Sequence, residues 1–211
     1  MSAASPWVVG ALTREPLDAA SWVDVGRGWL RDPQEVYDAL ATGLPWHQGT
    51  VWRYDHRWSE PRLHASARGG RLAPHPALAE ADTALRRLYR VPLEGMGLSF
   101  YRDGRDAMGA HRDSDMRWCD ETVIAVLTLG ATRPWTLQPA HSSGAARDVL
   151  PGSGDLLVMG GRAQADWLHG VPPVRGLTTG RISVQWRWTS RRGRPERGGS
   201  STAARTYGGG R

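Results

Sequence analysis

Lysine and asparagine are absent from this 211-residue chain, and cysteine and phenylalanine occur once each. The lone cysteine, Cys119, excludes an intrachain disulfide and any metal site built from cysteines alone. No apolar run approaches the roughly 20 residues that a bilayer-spanning helix needs, so no membrane partner is expected. Residues 1–6 hold no basic region followed by an apolar stretch, so no export signal is read and a cytoplasmic protein is expected. Without lysine, all 27 basic side chains are arginine, against 21 acids, and the net charge is +6. Such a balance suggests a nucleic-acid partner. Its distribution tempers that reading. Residues 190–211 carry six arginines and one acid, so almost all of the excess lies in the last stretch, where it adds salt-sensitive phosphate attraction and little specificity. The 11 tryptophans serve either as core fillers or as platforms for stacked bases.

The chain divides into three parts. Residues 1–95 read as N-terminal helices and a substrate lid. Asp32-Pro33 starts one helix over 33–40, with Asp32 as its cap. A second runs over 76–89 and aligns Leu78, Ala81, Leu85 and Leu88 on one side. Between them, 46–74 is rich in Trp, His and Arg and reads as a long functional loop or a hairpin lid. Residues 96–189 alternate short β-rich runs (96–101, 123–129, 135–138, 156–159, 181–188) with Gly, Pro and Asp turns, the pattern of a β sandwich or barrel. Residues 190–211 are expected to be a disordered Arg/Gly-rich tail.

The chemistry starts at His111-Arg112-Asp113. On an extended strand, residues two apart share a face, so an imidazole and a carboxylate can meet one metal ion; alternatively both are surface polar residues. His169, flanked by apolar neighbours, is either a core histidine or a third ligand. Two histidines and one carboxylate form the facial triad of non-haem Fe(II) oxygenases. The segment 181–188 alternates without exception: Arg181, Ser183, Gln185 and Arg187 face one way, and Ile182, Val184, Trp186 and Trp188 the other. It reads as a half-exposed strand, or as a strand whose polar face lines a barrel interior. In the second case the two arginines need an anionic partner, and a small dicarboxylate would serve.

In this order, the segments resemble the AlkB family of Fe(II)/2-oxoglutarate dioxygenases, which repair alkylated nucleic-acid bases. The likeness rests on Phe100-Tyr101 through His111-Arg112-Asp113-Ser114-Asp115, on Pro151-Gly152-Ser153-Gly154-Asp155 and the strand after it, on Trp167-Leu168-His169-Gly170-Val171, and on the Arg181/Arg187 pair. Pro61-Arg62-Leu63 is similar to an element beside that family's substrate lid. The likeness covers roughly residues 60–189.

The resemblance implies a mostly β fold with flanking helices, a double-stranded β-helix or jelly roll. It implies Fe(II) held by His111, Asp113 and His169, with 2-oxoglutarate and O2 as cosubstrates. Arg181 is expected on the distal carboxylate of 2-oxoglutarate, Arg187 near its chelating end, and Tyr101 as a hydrogen-bonding partner. Ser99 and Ser183 stand where the family usually places asparagine against the cosubstrate. Asp115 matches the family's base-contacting acid, or else forms a turn. Arg62, Trp52 and Trp58, with Tyr54 and His64 nearby, are the lid candidates for an extruded base; ordinary packing is the alternative for each. The implied activity is oxidative dealkylation of N-alkylated bases in DNA or RNA, single-stranded or flipped, by a monomer. It releases an aldehyde, succinate and CO2. A hydroxylase of a protein, lipid or small molecule on the same fold is the alternative, and a non-catalytic binding protein a third.

Overall fold

A computed structural model describes residues 7–53, 56–67, 73–113, 116–193 and 195. Along them run β1 (Thr13–Pro16), β2 (Ser21–Gly26), α1 (Pro33–Gly43), β3 (His47–Arg53), β4 (His56–Ala67), α2 (Pro76–Tyr89) and β5 (Glu94–Tyr101). There follow β6 (Met108–His111), β7 (Thr122–Gly130), β8 (Trp135–Pro139), β9 (Arg147–Val149), β10 (Leu156–Gly161), α3 (Ala163–Asp166), β11 (Trp167–Val171) and β12 (Arg181–Thr189). Every pairing is antiparallel. An eight-stranded sheet runs β1-β2-β10-β7-β12-β5-β4-β3, and a four-stranded sheet runs β6-β11-β8-β9.

β7 explains the layering. Eight of its nine residues are buried, so both of its faces are covered. Val123, Ala125, Leu127 and Leu129 pack with Ile182, Val184 and Trp186 of β12 against Val36 and Leu40 of α1 and Leu78 and Leu85 of α2. Ile124 and Val126 face the other way, joining Tyr101, Trp135, Leu137, Leu157 and Met159 between the two sheets. Burying each of these larger side chains stabilises the fold by about 1.5–3 kcal/mol. The polar row of β12 therefore lines the interior of the jelly roll, and the half-exposed alternative fails.

Local details refine the sequence reading. Asp32 does occupy the cap position of α1, but in the left-handed conformation (φ 49°) and with no side-chain capping bond. His75 caps α2 instead: its side chain accepts from the Ala77 amide. Leu88 is 55% exposed. The buried stripe of α2 steps four residues from Leu85 to Tyr89, whose ring packs on the core and whose hydroxyl donates to Asp24. The segment 46–74 contains a hairpin, β3 and β4, that extends the large sheet past β5; residues 68–72 and the tail beyond 195 lie outside the described residues. β1 and β2 extend the opposite edge. No helix among the described residues is long and apolar enough to cross a membrane.

Candidate metal centre and cosubstrate pocket

β6 and β11 pair so that His111 and His169 are direct cross-strand partners, with ring centroids 4.4 Å apart. Gly170 permits this approach: a Cβ there would sit 2.9 Å from the Met108 carbonyl oxygen and 3.0 Å from the Ala110 nitrogen. Asp113 follows β6 by two residues. Its Oδ1 lies 3.5 Å from His111 Nε2 and 3.9 Å from His169 Nε2. The three donor atoms lie within 4.8 Å of one another, and this is the one such group among the described residues. His111 Nδ1 stands 2.9 Å from the Gly109 carbonyl. A proton on Nδ1 donates there and leaves Nε2 with its lone pair facing the cluster.

The electrostatics hold Asp113 and His169 in metal-ready states. Burial alone would raise the Asp113 carboxyl, but the Arg187 guanidinium and the two histidines hold it well below the usual carboxylate range. Burial pushes His169 down to about 3; His111 reinforces this and Asp113 opposes it. At neutral pH the cluster is thus an ionised carboxylate beside a neutral, buried His169, as metal ligation requires. Arg187 Nε donates to Asp113 Oδ2 at 2.7 Å, and Nη2 donates to Oδ1 at 3.3 Å and to Gln185 Oε1 at 2.9 Å.

Deeper in the interior lies a second polar layer. Arg181 is fully buried and is the cross-strand partner of Tyr101 on β5. Its Nη2 donates to Thr128 Oγ1 at 3.1 Å. Its Nε and Nη1 have no partner among the described residues, and neither has the buried hydroxyl of Ser183. Ser183 lies opposite Ser99 on one side and Thr128 on the other. Burial lowers Arg181 to about 10, with Tyr101 opposing and Arg133 adding to the shift. Buried donors left without acceptors are costly and call for a bound oxygen anion. The donor set suits a carboxylate, so the residues fit both Fe(II) and 2-oxoglutarate.

The remaining expected residues divide. Arg62 is buried, with Nη1 2.7 Å from the sulfur of Met108 on β6 and Nη2 3.6 Å from Glu60, so it ties the hairpin to the strand that carries His111. His64 pairs with Glu60. Trp52 and Trp58 stand on β3 and β4, but their side chains lie outside the described residues, as do Tyr54 and Asp115 entirely.

Two participants were not anticipated from sequence. One is Arg133, buried between β7 and β8. Gln164, fully buried on α3, donates from Nε2 to the Asp113 carbonyl at 3.1 Å, while Arg112 donates to the Ala165 carbonyl at 3.2 Å. The turn before β11 therefore braces the segment that carries Asp113. Gln164→Leu is expected to weaken Co(II) binding by roughly tenfold, the usual cost of losing a supporting partner of a metal ligand. A spectroscopic titration that finds wild-type affinity contradicts this role.

The family profile described as the 2OG-Fe(II) oxygenase superfamily matches residues 33–187. The chain is 28% identical over 179 residues to the alpha-ketoglutarate-dependent dioxygenase alkB homolog 3 of Mus musculus, covering 75% of this chain and 62% of that protein. It is 24% identical over 154 residues to the DNA oxidative demethylase ALKBH2 of Bos taurus, covering 67% and 54%. The chain thus spans about six tenths of the length of the alkB homolog 3 proteins that it matches. The solved structure of OsALKBH1 shares the fold, with a TM-score of 0.56 at 15% identity over 84% of this chain and 100% of that one.

Proposed function

This chain belongs to the 2OG-Fe(II) oxygenase superfamily, and from that premise we propose that it oxidatively dealkylates N-alkylated bases in DNA or RNA, using Fe(II), 2-oxoglutarate and O2. The observation that carries the reading is the pairing of two sites in one interior. A His–Asp–His cluster fit for a metal is held by Arg187 on β12, and the same strand carries the buried Arg181 with two unanswered nitrogen positions. The likeness to alkB homolog 3 and ALKBH2 supports the nucleic-acid substrate.

His111 Nε2, Asp113 Oδ1 and His169 Nε2 would hold the iron. Bound iron, with 2-oxoglutarate and O2, supplies the oxidation of an N-alkyl carbon and yields succinate and CO2; the N-hydroxyalkyl product then breaks down to an aldehyde and the restored base. The protein's own work is positional. Arg187 engages mainly Asp113 Oδ2, keeping the carboxylate ionised and Oδ1 turned toward the histidines. Arg181 receives the distal carboxylate of 2-oxoglutarate, with Tyr101, Ser99 and Ser183 along the same wall. Arg187 also lies at the metal end of that wall. An alkylated base reaches this interior only from a single strand or when flipped out of a duplex. The β3–β4 hairpin, with Arg62, Trp52 and Trp58, would serve as its lid, and Asp115 as a base contact. We read the enzyme as a monomer of the reduced cytosol, where Fe(II) and the buried thiol of Cys119 both persist.

The test is incubation of the Fe(II)-loaded chain and 2-oxoglutarate with methylated single-stranded DNA and RNA. Formaldehyde release with restoration of the base is expected. Succinate formation with neither outcome on either nucleic acid transfers the chemistry to a protein, lipid or small-molecule substrate.

A further inference from the structure

The interior holds a second buried guanidinium that the proposed chemistry leaves unused. Arg133, between β7 and β8, is 1% exposed. Its Nη1 donates to the Asp103 carbonyl at 3.1 Å, and its Nη2 to the carbonyls of Asp106 and Pro172, both at 2.7 Å. Its Nε is buried with no partner among the described residues. The guanidinium carbon lies 5.2 Å from the centroid of the Tyr101 ring, and Tyr101 is the cross-strand partner of Arg181.

Among the described residues, no carboxylate contacts this cation directly. The side chain of Asp106 is gripped by Arg102 through Nε at 2.8 Å and Nη2 at 2.9 Å. That of Asp103 is held by Arg105. Arg133 takes only their backbone oxygens. The Tyr101 end of the pocket therefore carries two buried guanidinium charges, Arg133 and Arg181. Burial lowers the proton affinity of Arg133, with Tyr101 and, through space, Asp106 and Asp103 opposing; burial likewise lowers that of Arg181, with Tyr101 opposing and Arg133 adding to the shift. Two cations desolvated together are unfavourable until a negative charge joins them.

We propose that Arg133 is a second cosubstrate-anchoring residue: it holds Tyr101 in place and adds positive potential behind Arg181, so that this end of the pocket selects a 2-oxo acid with a distal carboxylate. Arg133 acts through Tyr101 and through its field, as a positioning residue. The proposal rests on the cosubstrate reading above and adds the residue that sets the preference for a diacid.

Calorimetric titration of the full chain, loaded with Mn(II) and kept free of O2, tests it without turnover. The two ligands are 2-oxoglutarate and 2-oxopentanoate, in which a methyl group replaces the distal carboxylate. Arg133→Gln is expected to weaken 2-oxoglutarate by roughly tenfold, the effect of removing one nearby charge from a poorly solvated site, and to leave 2-oxopentanoate within about twofold. Arg133→Lys keeps the charge and should hold the affinity ratio within about threefold of wild type. An unchanged ratio in the glutamine variant, or equal weakening of both acids in both variants, makes Arg133 a loop clamp only and overturns the proposal. Should the glutamine variant not fold, a collapse of the ratio in Arg133→Lys overturns it and retention supports it. Wild-type chain that binds neither acid overturns the cosubstrate reading itself, whereas wild-type preference for the diacid that survives Arg133→Gln removes this inference alone.

Discussion

Arg181→Met is expected to weaken 2-oxoglutarate binding by about 10²- to 10³-fold while leaving metal affinity within about twofold. The size follows from the environment. Arg181 is fully buried, with one donor engaged by Thr128 and two nitrogen positions unanswered. A carboxylate arriving there meets a preorganised, desolvated cation, and charge-assisted bidentate bonds of that kind are the strong ones. Methionine matches much of the stem and removes every donor. The same change should stabilise the ligand-free protein, because the cost of burying an unpaired guanidinium disappears while the apolar contacts stay. A rise in melting temperature combined with loss of cosubstrate affinity, read by calorimetry on the Mn(II)-loaded protein, separates a binding residue from a structural one. A variant that melts lower and binds 2-oxoglutarate normally would show that the cation serves the fold.

What sequence reveals here follows from which interactions are periodic. The row Arg181, Ser183, Gln185, Arg187 is legible because strand geometry forces alternate residues onto one face. Only the structure shows that this face is interior, because that depends on the small sheet closing over it. His111 and Asp113 are legible together through their spacing, and His169 only through likeness, since its partner is chosen by the β6–β11 register. Gln164 and Arg133 escape sequence reading for a shared reason. Both act on backbone carbonyls far along the chain (Asp113; Asp103, Asp106 and Pro172), and a carbonyl leaves no mark in the residue alphabet. The helix detail that failed, Leu88, failed by phase: at 3.6 residues per turn a stripe through Leu78, Ala81 and Leu85 continues equally well at 88 or 89, and the contact of Tyr89 with Asp24 decides for 89. Asp32 shows the same limit, since its identity suits a cap and its left-handed backbone points the side chain elsewhere.

Asp113→Ala should abolish turnover and lower metal affinity by at least about 10²-fold, more than loss of a supporting partner costs. Asp113 supplies the only carboxylate in the cluster, and without it a divalent cation faces two imidazoles beside the Arg187 cation. Asp113→Asn restores the shape without the charge and should bind metal little better; near-wild-type binding by the asparagine variant would mean that the ligand set lies elsewhere. The metal-free protein carries an independent signature. Arg187, its side chain 23% exposed, keeps its bond to Gln185 but loses its carboxylate partner, so the alanine variant should be less stable by about 1–3 kcal/mol at neutral pH. The pH dependence then fixes the sign. His169 and Asp113 both have folded-state affinities for protons below their unfolded ones. For His169, the unfolded chain takes up a proton near pH 6.5 and the folded chain only near about 3. Its contribution is therefore complete above pH 6.5 and erodes as pH falls toward 3, at up to about 1.4 kcal/mol per unit. Asp113 opposes the lowering of His169, so its removal depresses His169 further and leaves that acid-side slope in place. Denaturant melts of wild type and Asp113→Ala between pH 4 and 7 should thus run nearly parallel, offset by the lost Arg187 contact. His169→Ala should flatten the slope, because the side chain that resists protonation in the folded interior is then gone.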